Sequence, residues 1–263
     1  SIADHHFGKL AWAPEVGENY DLKIAEDRYA KASRLLLRGV ADRKPDRIAI
    51  VVGNDFYHVD RGDNMTTRGT PQDADGRWQK AFVGGARQAR NSINEAAELA
   101  PVDVLVVSGN HDEERAFLLG VVLAAVYENN PRVTVHNEPS LYKRFRWGTT
   151  LLGFFHGHNM PARRFQQLPN EMAHHWPNDW AETTWREWHF GHLHSESEDV
   201  WRYRASETIG DVVVRRLPSL CGTDRWHHAN GYRSLGAAEA HYYSAETGRM
   251  GYDTVTQLAL EQN

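Results

Sequence analysis

The sequence VVGNDFYHVD, residues 51–60, places a glycine and a series of polar side chains directly after an apolar run. That run, RIAIVV over residues 47–52, has the β-branched composition of a buried strand. In α/β proteins, sites form where strands end in this way, at the carboxyl edge of the sheet. Asp55 is therefore a candidate for a carboxylate shared by two metal ions, and the rest of the chain should supply the other ligands.

The composition is that of a globular protein. The chain has 263 residues, 41% hydrophobic and 25% charged, and we expect one domain over residues 1–263. A net charge of −5 argues against a broadly basic nucleic-acid binder, although bound divalent cations would offset it locally. No apolar run approaches the roughly 20 residues of a membrane span, and no signal-peptide pattern opens the sequence. Cys221 is the single cysteine, so we expect a reducing, cytoplasmic location. Since no membrane span is predicted, we also expect no membrane association.

Apolar and polar segments alternate in a way that predicts helices and strands in turn. Helices are expected over residues 24–38, ending near Gly39, over residues 76–100 with a bend at Gly84-Gly85, and over residues 113–127. Strands are expected over residues 47–52, 102–107 and 133–135, which indicates a layered α/β fold. Further strands, over residues 141–147, 149–155, 185–190, 211–217, 234–244 and 252–256, indicate a mostly antiparallel second sheet.

Polar ligand residues begin at Asp4, before any complete strand. We therefore expect that the first strand is truncated and that this chain is part of a longer protein.

Five predicted strand ends carry side chains that bind metals. They are Asp4 with His6, Asp55, the run Asn110-His111-Asp112, His156, and His192 with His194. A mixed set of oxygen and imidazole donors suits Mn²⁺, Fe or Zn²⁺ better than an all-oxygen Mg²⁺ or Ca²⁺ site. Two such ions about 3.5–4 Å apart can share a carboxylate and a hydroxide, and can hold the attacking and leaving oxygens of a phosphoryl transfer.

These motifs resemble those of the calcineurin-like metallophosphoesterases over about residues 1–217. The matching motifs are DHH (residues 4–6), GND (53–55), GNHD (109–112), HGH (156–158) and GHLH (191–194). The resemblance implies a four-layer α/β/β/α metallophosphoesterase sandwich with two divalent metal ions at the strand ends. We expect Mn²⁺ first, with Zn²⁺, Fe or Mg²⁺ as alternatives.

The resemblance also implies a role for each ligand. The metal ligands that it implies are Asp4, His6 and His194 for one ion, Asn110, His156 and His192 for the other, and Asp55 as the bridge. His111 would be the general acid or phosphate-stabilising residue, oriented by Asp112. The usual Gly-Asp is here Gly53-Asn54-Asp55, and we assign the bridge to Asp55 because a neutral amide bridges metals poorly.

The substrate hypothesis depends on His58, three residues after Asp55, where many phosphatases of this family have an aspartate. This resembles SbcCD-type DNA repair exonucleases, in which the corresponding histidine lies beside the phosphate. Residues 66–73 and 168–180 also resemble phage and bacterial relatives of that type. We therefore expect a DNA nuclease in which a metal-bridging hydroxide attacks phosphorus in line. SbcCD-type nucleases work with an ATPase partner, but nothing in the sequence shows a docking segment for one.

Two other functions stay open. The same site could serve a phosphomonoesterase or a small-nucleotide phosphoesterase, or the metals could stabilise a non-catalytic binding module. An intact His111-Asp112 pair argues against the last of these, since a structural site needs no general acid.

Several residues are candidates for substrate contacts. The arginines are Arg61, Arg68, Arg163 and Arg164. Four tryptophans, Trp176, Trp180, Trp185 and Trp188, could form a base-stacking platform or pack into the core. His158 could support the metal site from behind its ligands.

Overall fold

The computed structural model describes residues 1–160, 162–192, 206–221 and 236–262, with the side chains of residues 162 and 163 excepted. The helices in these ranges are α1 (Ala13–Val16), α2 (Leu22–Asp42), α3 (Trp78–Leu99), α4 (Glu113–Tyr127), α5 (Ala162–Phe165), α6 (Leu168–His175), α7 (Pro177–Glu182) and α8 (Gln257–Glu261). The strands are β1 (Ile48–Gly53), β2 (Val102–Val107), β3 (Val133–His136), β4 (Lys143–Trp147), β5 (Thr150–Phe155), β6 (Trp185–Phe190), β7 (Ser206–Ile209), β8 (Val212–Arg216), β9 (Ala237–Ser244) and β10 (Gly248–Thr256).

The first sheet is parallel, with strand order β1-β2-β3. Its two faces bury different partners because successive side chains of a strand point to opposite sides. Val52, Val102 and Val104 pack against buried residues of α2, α3 and α4. On the other face, Val51, Leu105 and Val107 pack against Leu152 and Phe154 of β5. The two sheets therefore lie face to face.

The second sheet has the order β4-β5-β6-β8-β7. Its outer face carries Leu151 and Phe155 of β5 and Trp188 of β6, which bury against Leu168 and Met172 of α6. Helices, sheet, sheet and helices thus follow one another through the molecule. The predicted four-layer α/β/β/α sandwich is confirmed.

The pairing within the second sheet differs from the sequence prediction. β4 with β5 and β7 with β8 are antiparallel, but β5 with β6 and β6 with β8 are parallel. The expectation of a mostly antiparallel sheet is wrong, and the sheet is mixed. In addition, β9 and β10 pair with each other in a separate two-stranded sheet. The parallel pairs matter for function because they bring the ends of β5 and β6 to one edge.

Helix α2 continues three residues past Gly39, where the sequence predicted its end. A glycine inside a helix costs about 1 kcal/mol relative to alanine. Here a Cβ at Gly39 would lie 2.6 Å from an Asp253 carboxylate oxygen of β10. The glycine therefore marks a close approach between α2 and the β9-β10 hairpin.

Helix α3 also continues through Gly84 and Gly85 as one element, where the sequence predicted a bend. A Cβ at Gly85 would lie 2.5 Å from the Tyr57 ring and 2.8 Å from the Phe56 ring. The two glycines let α3 lie directly against the aromatic residues that follow β1. The loop that carries Asp55 is thereby packed onto a helix.

No helix in the described part of the chain is both long and apolar enough to cross a membrane.

Candidate metal centre

The ends of four segments meet at one edge of the sandwich. Gly53 pairs with Val107, so β1 and β2 end at the same level of the first sheet. Phe155 pairs with Phe190, so β5 and β6 end at the same level of the second sheet. The N-terminal segment joins them, because Asp4 N donates to Asn54 O at 2.9 Å and His6 N donates to Asp55 O at 3.0 Å. The predicted ligands that the structure describes therefore lie together. His194, also predicted as a ligand, lies outside the described residues.

The backbone at this edge is strained. Five residues other than glycine have positive φ angles here: Asp4 (49°), His6 (49°), Asn54 (58°), Asp55 (58°) and His192 (63°). Asn, Asp and His enter this left-handed region more readily than other side chains, yet each still costs on the order of 1 kcal/mol. Strain of this kind collects where a structure must aim side chains at a site.

The carboxylate of Asp55 belongs to two separate groups of ligand atoms. One group comprises Asp4, His6 and Asp55, and the other comprises Asp55, His156 and His192. Within each group the ligand atoms lie within 4.8 Å of one another. One carboxylate common to two such groups is the arrangement that a bridge between two metal ions requires.

His156 connects the ligands proposed for the second ion. Its Nε2 lies 2.9 Å from an Asp55 carboxylate oxygen and 3.0 Å from the Asn110 amide oxygen. Burial disfavours the charged imidazole, but the Asp55 carboxylate outweighs burial and raises the pKa of His156 to about 9. A divalent cation held by these three side chains would compete with that proton.

The protonation states of His6 and Asp55 suit a metal without such competition. Burial, followed by the charge of His111, holds the pKa of His6 well below its usual value, so its imidazole is neutral. Burial would raise the pKa of Asp55, but His156 and His111 outweigh it and hold this pKa well below its usual range. Neutral imidazole and ionised carboxylate are the forms that bind metals.

Two glycines make room for the carboxylates. A Cβ at Gly109 would overlap the Asp55 carboxylate and lie 2.6 Å from the Asp55 backbone nitrogen. A Cβ at Gly191 would overlap the Asp4 carboxylate and lie 2.9 Å from the Asn54 amide oxygen. The donor set, its burial and these close approaches fit a centre of two divalent cations with mixed oxygen and imidazole ligands.

His111 lies beside this cluster and is partly exposed, so a substrate can reach it. Its backbone N–H donates to Asp55 Oδ1 at 2.8 Å, and its Nδ1 donates to the backbone carbonyl of His58 at 2.8 Å. The expectation that Asp112 orients this ring is corrected. Asp112 instead accepts from the backbone N–H groups of Gly109 at 2.9 Å and Tyr57 at 3.1 Å, and so fixes the loop rather than the imidazole.

His58 is only 3% exposed. Its Nδ1 lies 3.3 Å from His6 Nδ1, and its ring stacks on His111 with centroids 5.4 Å apart. His58 therefore touches a proposed metal ligand and the proposed general acid. This geometry indicates that His58 acts on the substrate through His111, because its buried ring is poorly placed to contact a phosphate directly.

The predicted arginines are spread around the cluster. Arg61 pairs with Asp63 at 2.8 Å, and Arg164 lies 3.7 Å from Glu171. Arg68 donates to Asn159, which follows His158 in the loop after β5. The Arg163 side chain lies outside the described part of the structure. Arg68 is thus joined to the loop that begins with the metal ligand His156.

The tryptophans do not form a stacking platform. Trp188 is fully buried, and Trp176 and Trp180 pack against the same core beneath α6. Trp185 donates from its ring nitrogen to Glu187 at 3.2 Å. Asp60, two residues after His58, accepts from Glu114 N and Arg115 N and so caps α4.

Asn54 has a role that sequence reasoning did not assign. Its amide oxygen accepts from His156 Nδ1 at 2.6 Å, which turns Nε2 of the same ring toward Asp55 and Asn110. Partners of this kind fix the orientation of a metal-binding imidazole. The sequence carries a signal for this role, since Asn54 stands between the glycine and the predicted bridging aspartate.

We expect Asn54→Gly to weaken Mn²⁺ binding by about 10–100-fold, the usual effect of removing a partner of a metal-binding histidine. Glycine adopts the φ of 58° at this position without strain, so the change removes the amide alone. Asn54→Asp keeps an acceptor oxygen and should retain more affinity. Calorimetric titration with Mn²⁺ measures both variants, and wild-type affinity in Asn54→Gly would show that His156 needs no such partner.

No family model and no characterised protein matches the sequence. Among solved structures, a double mutant of Vps29 from Entamoeba histolytica aligns with 65% of this chain and 76% of its own, at 12% identity and a TM-score of 0.34. A single mutant of that protein aligns with 64% of this chain and 76% of its own, at 13% identity and a TM-score of 0.31. Likenesses this low carry no conclusion about function.

Proposed function

We propose that this protein is a dimetal-dependent phosphodiesterase that hydrolyses DNA. The observation that carries the proposal is the position of Asp55, whose carboxylate belongs to two groups of ligand atoms, one with Asp4 and His6 and one with His156 and His192. A purely structural metal site has no need of two adjoining ligand groups with a shared carboxylate. It also has no need of a partly exposed imidazole such as His111 beside them.

When bound, the two cations would activate a water molecule and neutralise charge on the phosphoryl oxygens. The chain supplies the remaining groups. His111 donates through Nδ1 to the His58 carbonyl, which leaves Nε2 to hold a proton for the leaving oxygen. Asp55 and Asp112 each accept from backbone N–H groups of the GNHD loop and hold that loop in place.

Phosphodiesters are favoured over monoesters by the pattern around His58. The resemblance to SbcCD-type nucleases depends on that histidine, and the structure puts it against both His6 and His111. Arg68, near the loop after β5, is a candidate phosphate contact at the mouth of the site. Mn²⁺ as the cation and DNA as the substrate are both parts of the proposal.

A panel of four substrates tests the proposal with Mn²⁺ present. They are single-stranded DNA, duplex DNA, bis-p-nitrophenyl phosphate and p-nitrophenyl phosphate. We expect hydrolysis of DNA and of the small diester, with little action on the monoester. Cleavage of the monoester alone would indicate the phosphomonoesterase. No turnover of any substrate by protein that has bound metal would indicate the binding module.

His58→Ala should reduce hydrolysis of DNA about 10–100-fold, as expected for loss of a side chain that supports a catalytic group and a metal ligand. The effect on bis-p-nitrophenyl phosphate should be smaller. p-Nitrophenolate leaves as a stable anion, whereas a deoxyribose oxygen needs a proton, which His111 supplies. Steady-state rates on both substrates measure the difference. Equal loss on both would make His58 a general support of the site and remove its link to DNA.

A further inference from the structure

A cavity of about 330 Å³ adjoins the candidate metal centre and shares His156 with it as a wall. This volume is at the small end of the range for ligand pockets, about 300–1,000 Å³, and suits a single ring system rather than a large molecule. Besides His156, its lining includes Tyr142 just before β4 and Glu171 and His175 of α6, and none of the other predicted metal ligands that the structure describes. A group held in it would therefore sit beside a phosphate bound at the metal centre.

The wall of the cavity is aromatic. The Tyr142 ring, half-buried just before β4, lies with its centroid 4.9 Å from that of His175 and 5.8 Å from that of Phe155. It also packs 5.4 Å from the buried Trp188 ring, which fixes it from behind. A ring held in this way offers a rigid surface on which a planar group can stack.

The rim of the same cavity is polar and carries both signs of charge. Glu171 lies 3.5 Å from His175 Nε2 and 3.7 Å from Arg164 Nη2. The rim therefore presents hydrogen-bond donors and an acceptor close together. The edge of a nucleobase presents both kinds of group as well, whereas a sugar-phosphate backbone carries no stacking surface.

We propose that this cavity binds one unpaired nucleobase of a DNA strand, next to the phosphodiester that is cleaved. This inference rests on the proposed function, since it assigns a substrate to the same site. A base inside a duplex is stacked between its neighbours and must leave the stack to enter a pocket of this kind. The cavity therefore selects single-stranded or frayed DNA over intact duplex, and Tyr142 provides the stacking surface.

Tyr142→Leu tests the stacking surface while keeping an apolar side chain in the core beside it. A base stacked on an aromatic side chain contributes enough that its loss should raise KM for a single-stranded oligonucleotide about 5–100-fold. The affinity for Mn²⁺, which needs no planar ligand, should stay at the wild-type value. Tyr252→Leu, on β10 outside the cavity, is the matched control and should change neither this affinity nor the KM for the oligonucleotide. A KM for the oligonucleotide that Tyr142→Leu leaves unchanged, or an equal loss of Mn²⁺ affinity in this variant, would overturn the proposal.

Binding measurements separate this proposal from the proposed function. In wild-type protein with Mn²⁺, deoxyadenosine 5′-phosphate should bind more tightly than deoxyribose 5-phosphate, and Tyr142→Leu should remove most of that difference. Equal binding of the two ligands would exclude a base site, whatever the enzyme activity. If the base effect is present but bis-p-nitrophenyl phosphate is not hydrolysed, the proposed function fails while the base site stands. Preference for duplex over single-stranded DNA would contradict the selection of unpaired bases.

Discussion

Asp55→Asn should reduce phosphodiester hydrolysis by more than about 100-fold, since even partners behind the metal ligands cost 10–100-fold when they are lost. Asparagine has nearly the shape of aspartate and can still accept from His111 N through its amide oxygen. What it lacks is the negative charge, which the two adjoining ligand groups share. The loss would therefore report the charge and not the shape of residue 55.

The choice of asparagine keeps the backbone intact. Residue 55 has a φ of 58°, which asparagine adopts readily and alanine does not. Asp55→Ala would combine loss of the ligand with strain, and its effect would be hard to interpret. Asp55→Asn should fold and lose activity, with a lower unfolding temperature because the buried ion pair with His156 is lost. Wild-type turnover by this variant would show that the bridge lies elsewhere.

Gly109→Ala should have the second-largest effect. The added Cβ would overlap the Asp55 carboxylate and lie 2.6 Å from the Asp55 backbone nitrogen, so a whole strand end must shift. Overpacking of this kind typically costs about 1–3 kcal/mol of folding free energy. Displacing a catalytic group by about 1 Å can cost about 100-fold in rate, so activity should fall well beyond the loss of stability.

Gly251→Ala is the matched control, because a Cβ at that position of β10 meets nothing within 4 Å. It should keep both the unfolding temperature and the activity of the wild type. Thermal unfolding and bis-p-nitrophenyl phosphate hydrolysis are measured for the two variants together. If Gly109→Ala behaves like Gly251→Ala, the close packing of the GNHD loop on Asp55 is not required.

Local patterns predicted much of the fold. The bounds of β2 and α4 agree with the sequence prediction because an apolar strand and a polar turn at residues 108–112 determine both. The end of α2 could not be predicted in this way. The sequence pattern predicts a helix end at Gly39. The contact that explains a glycine at this position is made with Asp253, more than 200 residues later.

Strand pairing was also beyond the sequence. β6 lies between β5 and β8 and pairs in parallel with both. The local sequence does not predict this order, because pairing between distant strands depends on the packing of the whole layer. The ligands were easier to predict than their neighbours. A ligand's residue type and place at a strand end show in the sequence, whereas Asn54 behind His156 and Tyr142 beside it are defined only by contacts in space.

Calorimetric titration of metal-free protein with Mn²⁺ tests the central claim most directly. If Asp55 joins two ligand groups, the wild-type chain should bind two Mn²⁺ ions. Asp4, His6 and Asp55 would contribute to one ion, and Asp55, Asn110, His156 and His192 to the other. A stoichiometry of two per chain is the expected result. A single ion per chain, or no binding at all, would contradict a dimetal centre at this edge of the sandwich.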